Sequence, residues 1–486
     1  MKRRARAVWI WFAAMLCAAL SHAGEPLPRE LAAVLASSGL PLQSFGLYVR
    51  PVDGDGSTTL AELNAEQPFL MASTTKVVTS LAALDLLGPT HAWQMQAYAT
   101  GPVVAGRLRG DLVLVGSSTG LTPAELTRWF RQMRGEGLSE VSGRIVLDGV
   151  ALLREEPPPA PEDLGDAVPE PAAARGNELI VSIEPGTGER AQVDVRPRPL
   201  DLRVIDDVFM GDGCNAWAQW RQERPGATPQ LWVRGQWEAG CGRRDVAQVR
   251  PSAPLRFAPR AQPSPPGLTA ARMVAGLWAE AGGRLGRGVV QRPGPARRPL
   301  AARLASAWTS HIATPLAEVI REMNKSSNNM SARHLLLALS PDTDAVGNAL
   351  KRAQERVQGW LQAQGLADDD IRIDIGSGQS RLERGKPRAL AQLLAKAWHG
   401  GGANAFLDSL PIAGVDGTLA QRLRNGAATG QAYLKTGTLH DTRALAGYVR
   451  GRSGKVYVIA AMVNHPRAAQ ATPALDKLVE WIARNG

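Results

Sequence analysis

Apolar residues recur at regular spacing near both ends of the chain and only in short bursts between them. Near the start, residues 30–35 have the pattern of a short helix. Residues 45–52 and 58–64 then alternate as strands about the turn Asp53-Gly54-Asp55-Gly56. Val77, Leu81 and Leu84 return every three or four positions, which predicts a helix stopped by Gly88-Pro89. The far end repeats this scheme in reverse. Residues 444–450 and 456–463 read as apolar strands joined at Gly451-Arg452-Ser453-Gly454. A closing helix from Thr472-Pro473 carries Leu475, Leu478, Val479 and Ile482 on one face. Antiparallel strands flanked by terminal helices predict an α+β domain made from both chain ends, 24–90 and 301–486.

The middle has a different grain. Strand-like segments at 111–115, 143–147, 179–183 and 231–237 are brief, and Pro and Gly interrupt them, above all at 155–171 and 251–266. This predicts a β-rich insertion over 91–300, in one or two small lobes. A length of 486 residues, with 44% hydrophobic and 21% charged, suits about three folded units and excludes disorder.

The first residues carry Lys2, Arg3, Arg4 and Arg6, then an uninterrupted apolar run over 7–20, then Ser21-His22-Ala23. That order of basic head, short apolar core and small residues predicts a signal peptide, 1–23, cleaved near Ala23. No later segment has eighteen consecutive apolar residues, so the expected mature protein is exported or periplasmic. With Cys17 removed, Cys214 and Cys241 remain, and an oxidising compartment predicts a disulfide between them.

The net charge is +11, from 56 Lys plus Arg against 45 Asp plus Glu, and all but nine of the cations are Arg. They are scattered, not gathered into a stripe with aromatic residues, which argues against nucleic acid. The surplus predicts a peripheral contact with a membrane or an anionic wall polymer. Three Cys and seven unclustered His speak against a metal centre or cofactor.

Three short motifs carry the chemistry. Ser73-Thr74-Thr75-Lys76 opens the first strong helix, so Ser73 and Lys76 share one face. A serine hydroxyl needs a neighbouring base, and a shielded lysine can act as one. Asn324-Lys325-Ser326-Ser327-Asn328-Asn329 holds Ser-x-Asn in two registers, Ser326 with Asn328 or Ser327 with Asn329. Lys435-Thr436-Gly437-Thr438 lies on a strand beginning at Tyr433, where a cation, a hydroxyl and a glycine suit an extended peptide with a free carboxylate. The ordered triple Ser-x-x-Lys, Ser-x-Asn, Lys-Thr-Gly is the pattern of penicillin-recognising serine acyl-transfer enzymes.

On these motifs the chain resembles the DacB-like D-alanyl-D-alanine carboxypeptidase/endopeptidases, low-molecular-mass penicillin-binding proteins with a long insertion between the first and second motifs. Further stretches are similar to that family: Asp374-Ile375-Gly376-Ser377-Gly378 running on to Ser380-Arg381, Pro411 through Leu419, and Ala446-Gly447-Tyr448-Val449. The resemblance implies a transpeptidase-like domain with an antiparallel sheet, flanking helices and a helical subdomain. It implies peptidoglycan stem peptides as substrate and β-lactams as covalent inhibitors. It assigns Ser73 as nucleophile, Lys76 as base, Ser327 as proton relay and Asn329 as a substrate-amide ligand. Lys435 and Thr436 would receive the terminal carboxylate, with Gly437 beside them, and the N–H groups of Ser73 and Thr438 would form the oxyanion hole. The chain departs from the family at Arg333, Gln379, 117–119 and 152–155. Rival readings are a non-catalytic wall-binding protein with the same fold and a serine β-lactamase, although β-lactamases lack so large an insertion.

Overall fold

The computed structural model describes residues 27–54, 58–116, 123–148, 179–196, 198, 202–221, 230–249, 270–292, 309–340 and 349–486. The expected signal peptide, Asp55 and Gly56, the Pro/Gly stretches at 155–171 and 251–266, and the departures at 117–119 and 152–155 lie outside the described residues. The described residues form two compact units, one holding those up to Pro89 together with those from Ile320 to Gly486, the other those from Thr90 to Val319.

The first unit is built on a five-stranded antiparallel sheet. Its strands are β1 (Phe45–Pro51), β2 (Ala61–Leu63), β3 (Ala432–Leu439), β4 (Thr442–Arg450) and β5 (Val456–Asn464), in the spatial order β2-β1-β5-β4-β3. The two chain ends meet in its centre, where β1 pairs with β5 from Phe45 opposite Val463 to Pro51 opposite Tyr457. Nearly every position of β4 and β5 is buried. That explains their continuous apolar sequence, because strands covered on both faces do not alternate.

Helices supply the two covers. On one face α1 (Arg29–Ala36) and α4 (Thr472–Asn485) place Leu31, Leu35, Leu475, Leu478, Val479 and Ile482 in one core with Phe45, Leu47, Leu445 and Ile459. Each large apolar side chain buried this way contributes roughly 1.5–3 kcal/mol. Gly46 points the other way, where an added Cβ would fall 2.8 Å from Pro387 of α3 (Pro387–Trp398). On that face the Tyr448 hydroxyl donates to Leu394 O at 2.9 Å, and burial pushes its pKa far up. The helix α2 (Thr75–Leu87) is buried over every residue from Thr75 to Leu84. It is therefore a central helix, not the one-faced helix that Val77, Leu81 and Leu84 suggest. Gly88, at φ +86°, ends it as expected. The second predicted strand is shorter than its pattern, starting at Ala61.

The second unit contains a five-stranded sheet ordered Val289–Arg292, Ile145–Asp148, Leu112–Gly116, Ala92–Ala99, Thr309–Pro315. A four-stranded and two three-stranded sheets accompany it. It is not purely β. Helices Pro123–Gly135 and Ala270–Glu280 bury Leu126, Trp129, Phe130, Met133, Met273, Leu277 and Trp278 among the strand residues. Phe130 meets Trp278 edge-on at 5.5 Å. Cys214 and Cys241 form the predicted disulfide, with Cα atoms 5.8 Å apart.

Candidate active site

Ser73 stands in a 3₁₀ turn, Ala72–Thr74, that runs directly into α2. Across Phe69–Leu84 it is the one residue that is not buried, so the fold delivers a single hydroxyl to solvent from otherwise closed chain. The turn is held tightly. Ala72 takes φ +46°, a conformation costing a non-glycine residue of order 1–3 kcal/mol. Thr74 returns both its N–H and its hydroxyl to Met71 O, at 3.2 and 2.6 Å. Asn464 at the end of β5 clasps Leu70, accepting from its N–H at 2.7 Å and donating to its carbonyl at 3.2 Å.

One turn further on, Lys76 is fully buried. Its Nζ donates to Ser73 Oγ at 3.0 Å, Asn329 Oδ1 at 2.7 Å and Ser377 O at 2.6 Å. Two of these partners are carbonyl oxygens, which can only accept. They occupy two N–H bonds whatever the charge on the amine. Ser73 Oγ is a hydroxyl, which accepts from an ammonium or donates to the lone pair of a neutral amine. The pocket can thus hold a neutral amine whose lone pair is aimed at the serine proton, the geometry a general base requires.

The second motif lies between helices Leu316–Ser326 and Asn329–Ala338. Ser327 adopts φ +57°, and this left-handed residue turns the chain between them. Ser327 Oγ accepts from Lys435 Nζ at 3.0 Å, while Asn329 accepts from Lys76. The other register, Ser326 and Asn328, bonds to the Glu322 carboxylate instead, at 3.0 and 3.4 Å. Before the turn, Asn324 donates to Ser80 and Ser409, and Lys325 pairs with Asp416 at 2.7 Å.

The third motif lies on β3, the edge strand of the sheet. Lys435 is fully buried and also donates to Thr436 O at 2.9 Å. The Thr436 hydroxyl lies 2.7 Å from that of Thr418. A Cβ on Gly437 would come within 2.8 Å of Met71 O and 3.1 Å of Ala72 Cβ, so only glycine lets this strand pass so close to the turn that holds Ser73. Thr438 is exposed beyond it. From Lys435 onward the outer edge of β3 has no partner strand among the described residues, a geometry open to an added extended peptide.

Several supporting groups surround the three motifs. Glu383 is fully buried and accepts from the N–H groups of Asp374, Ile375, Gly376 and Gly378 at 3.3, 3.0, 2.5 and 2.6 Å. Burial pushes its carboxyl above the usual range, against the opposing pull of the Gly376, Asp374 and Gly378 N–H bonds. Arg381 and Asp441 form a two-pronged pair at 2.8 and 2.7 Å. Burial would raise the Asp441 carboxyl, but the Arg381 guanidinium holds it below the usual range. Arg333, at the position where the family resemblance leads one to expect an acid, is buried beside His334, whose pKa burial and that cation both depress. Asp374 through Arg381 is visible in the sequence as a family-like stretch, but Glu383 has no local sequence signal.

The family model described as "D-Ala-D-Ala carboxypeptidase 3 (S13) family" matches residues 27–485. A D-alanyl-D-alanine carboxypeptidase of Actinomadura sp. (strain R39) is 26% identical over 93% of this chain and 83% of that protein. The D-alanyl-D-alanine carboxypeptidase DacB of Haemophilus influenzae is 24% identical over 83% and 82%. The crystal structure of penicillin binding protein 4 (dacB) from Haemophilus influenzae covers 94% of this chain and 100% of its own, with TM-score 0.63 and 18% identity. At that identity the likeness speaks for the fold: the penicillin-binding architecture of mixed helices and antiparallel sheet is the one this chain adopts.

Proposed function

The chain belongs to the D-Ala-D-Ala carboxypeptidase 3 (S13) family, and from that premise we propose Ser73 as its acylated nucleophile and Lys76 as the base that activates it. The protein is a serine-type hydrolase, a D,D-peptidase of peptidoglycan stem peptides that β-lactams acylate. It releases terminal D-alanine or opens the D-alanyl–diaminopimelate cross-link. The observation that carries the site assignment is the set of three bonds from Lys76 Nζ to Ser73, Asn329 and Ser377.

In this reading Ser73 Oγ attacks the carbonyl of the penultimate D-alanine as Lys76 takes its proton. The charge that develops on the carbonyl oxygen meets the N–H groups of Ser73 and Thr438; losing one such donor costs roughly 3–4 kcal/mol in comparable sites. Lys435 and Thr436 hold the terminal carboxylate, and Gly437 lets the substrate backbone lie against β3. Asn329 spends its oxygen on Lys76 and turns its Nδ2 to the substrate amide. Ser327, tied to Lys435, passes a proton to the departing amine. Water then hydrolyses the serine ester, regenerating Ser73.

The Cys214–Cys241 bridge supports an exported, periplasmic protein, since such bonds persist in oxidising compartments. Among the described residues no helix is long and apolar enough to cross a membrane. A contact with anionic wall polymer has its support in the second unit. There Arg190 lies over Phe209, and Arg221 and Arg234 lie over Trp232, at 5.0, 5.1 and 4.1 Å. Phe209 and Trp217 beside them are 45% and 47% exposed. Aromatic faces can stack on sugar rings while the guanidinium groups meet carboxylates. Salt-sensitive sedimentation with insoluble peptidoglycan, weakened in Arg221→Ala/Trp217→Ala, is the expected result; equal sedimentation would reject this contact.

Covalent labelling by a fluorescent penicillin, lost in Ser73→Ala, tests the acyl site. Release of D-alanine from a pentapeptide, or cleavage of cross-linked muropeptides, tests turnover. Labelling without either would favour a non-catalytic wall-binding protein.

A further inference from the structure

Lys76 Nζ donates to Ser73, Asn329 and Ser377, and the shortest of these bonds goes to the main chain. Ser377 O accepts at 2.6 Å, yet a carbonyl has no freedom of its own: it points where its peptide plane points. That plane is shared with the Gly378 N–H. In a trans peptide the N–H and the C=O face opposite ways, so whatever fixes one aims the other. Here the Gly378 N–H is fixed by Glu383 Oε2 at 2.6 Å. A continuous line therefore runs from the carboxylate, through one peptide unit, to the amine.

Further contacts remove slack from this line. The other oxygen of Glu383 gathers the N–H groups of Asp374, Ile375 and Gly376. Gly376 O in turn accepts from Thr79 Oγ1 of α2 at 2.8 Å, tying the loop to the helix that carries Lys76. Gly378, at φ +87°, lies so close to the nucleophile turn that a Cβ there would fall 1.9 Å from Ala72 O and 2.7 Å from Ser73 N. The main chain of Glu383 also reaches that turn, its carbonyl accepting from Met71 N at 3.3 Å. One residue thus fastens both the loop that holds the base and the turn that holds the nucleophile. Charge matters as well as shape. A carboxylate on the N–H of a peptide polarises its carbonyl and makes it a better acceptor.

We propose that Glu383 is a positioning residue for the base, its buried carboxylate aiming and polarising the Ser377 carbonyl so that Lys76 Nζ stays on Ser73. This rests on the assignment of Lys76 as base and adds the group that orients it. Nothing in the three catalytic motifs contains Glu383, and it acts without touching substrate.

The test is Glu383→Gln, which keeps size and shape but puts an amide NH₂ against one of the bound N–H groups. Acylation by a chromogenic β-lactam is followed by stopped flow, separating the affinity of the non-covalent complex from the acylation rate constant at saturation. The expected result is unchanged affinity with a rate constant lower by up to about 100-fold, the scale of a misplaced reacting group. Glu383→Ala is expected to be slower still. A residue that only staples the fold would lower the melting temperature and leave the rate constant of the folded molecules at the parental value; that outcome overturns the proposal. If Glu383→Gln does not fold, Glu383→Asp keeps the charge but shortens the reach, and slow acylation with unchanged affinity is again expected. Parental acylation in Glu383→Asp would equally reject the role. Failure of the parental protein itself to be acylated would instead sink the Ser73–Lys76 reading.

Discussion

Lys435 Nζ lies 3.0 Å from Ser327 Oγ, which joins the cation of the last motif to the hydroxyl of the middle one across 108 residues of sequence. The two should behave as one device. Ser327→Ala and Lys435→Ala are each expected to slow acylation by about 10²–10⁴-fold, as loss of a proton-transfer partner does. The double variant should be little worse than the slower single one, because the second change removes a group already disabled. Fully multiplicative losses in stopped-flow acylation would show that the two act separately.

Lys76→Ala should abolish labelling by fluorescent penicillin within the time that labels the parent completely. Far-ultraviolet circular dichroism is expected to be unchanged, because the lost group is a base whose removal spares the surrounding core. Labelling at the parental rate would mean that another group takes the serine proton.

Gly378 allows a test of close approach. Gly378→Ala places a methyl group against Ala72 O and imposes a left-handed φ on a residue with a side chain. Its expected cost exceeds about 1 kcal/mol of stability, together with a large loss of acylation. Gly430, at φ +69°, has open space around it. Gly430→Ala should therefore lose stability from backbone strain alone and keep the parental acylation rate. Comparing the pair by denaturant melts and labelling separates strain from steric displacement of the serine.

The Arg381–Asp441 pair predicts an acid dependence. The folded-state carboxyl of Asp441 is held below its ordinary value, so its contribution is complete above about pH 5 and is lost as pH falls through the folded value. Asp441→Asn should cost of order 1 kcal/mol at neutral pH, after allowing for solvent screening of a partly exposed pair. The difference from the parent should vanish as pH falls through the depressed folded value of Asp441. Urea melts across that range would detect it; a gap that persists in acid would point to packing instead of charge.

Removing the bridge with Cys214→Ser/Cys241→Ser should cost about 3–4 kcal/mol, by the loop-entropy argument, in unfolding of the second unit. Acylation of Ser73, which lies in the first unit, is expected to survive. Coincident loss of labelling and of stability would contradict this independence.

What could be read from the sequence follows from where the information lies. Ser73 and Lys76 are legible because helical spacing puts both on one face. Lys435-Thr436-Gly437 is legible because a strand needs that glycine beside the nucleophile turn. The apolar runs of β4 and β5 announce strands covered on both sides. Ser377 is not legible as a ligand of Lys76, because it serves through a carbonyl that every residue possesses. Glu383 is hidden for a related reason: binding backbone N–H groups demands no partner side chain. The helices Pro123–Gly135 and Ala270–Glu280 are a different case. Leu126, Trp129, Phe130 and Met133 follow helical spacing, as do Met273, Val274, Leu277 and Trp278, but a β-rich expectation for the insertion passes over them.

The pairing of β1 with β5 has a temporal meaning. Its central register joins Tyr48 to Ala460, so about 410 residues of chain lie between partners that must meet before the middle of that sheet can close. Contacts so distant in sequence form slowly, because a very long loop must be brought together first. Ser73 precedes that distant strand in the chain, yet the segment leading into its turn is clasped by Asn464 at the strand's end, so the serine is held in place by a residue that follows it by almost four hundred positions.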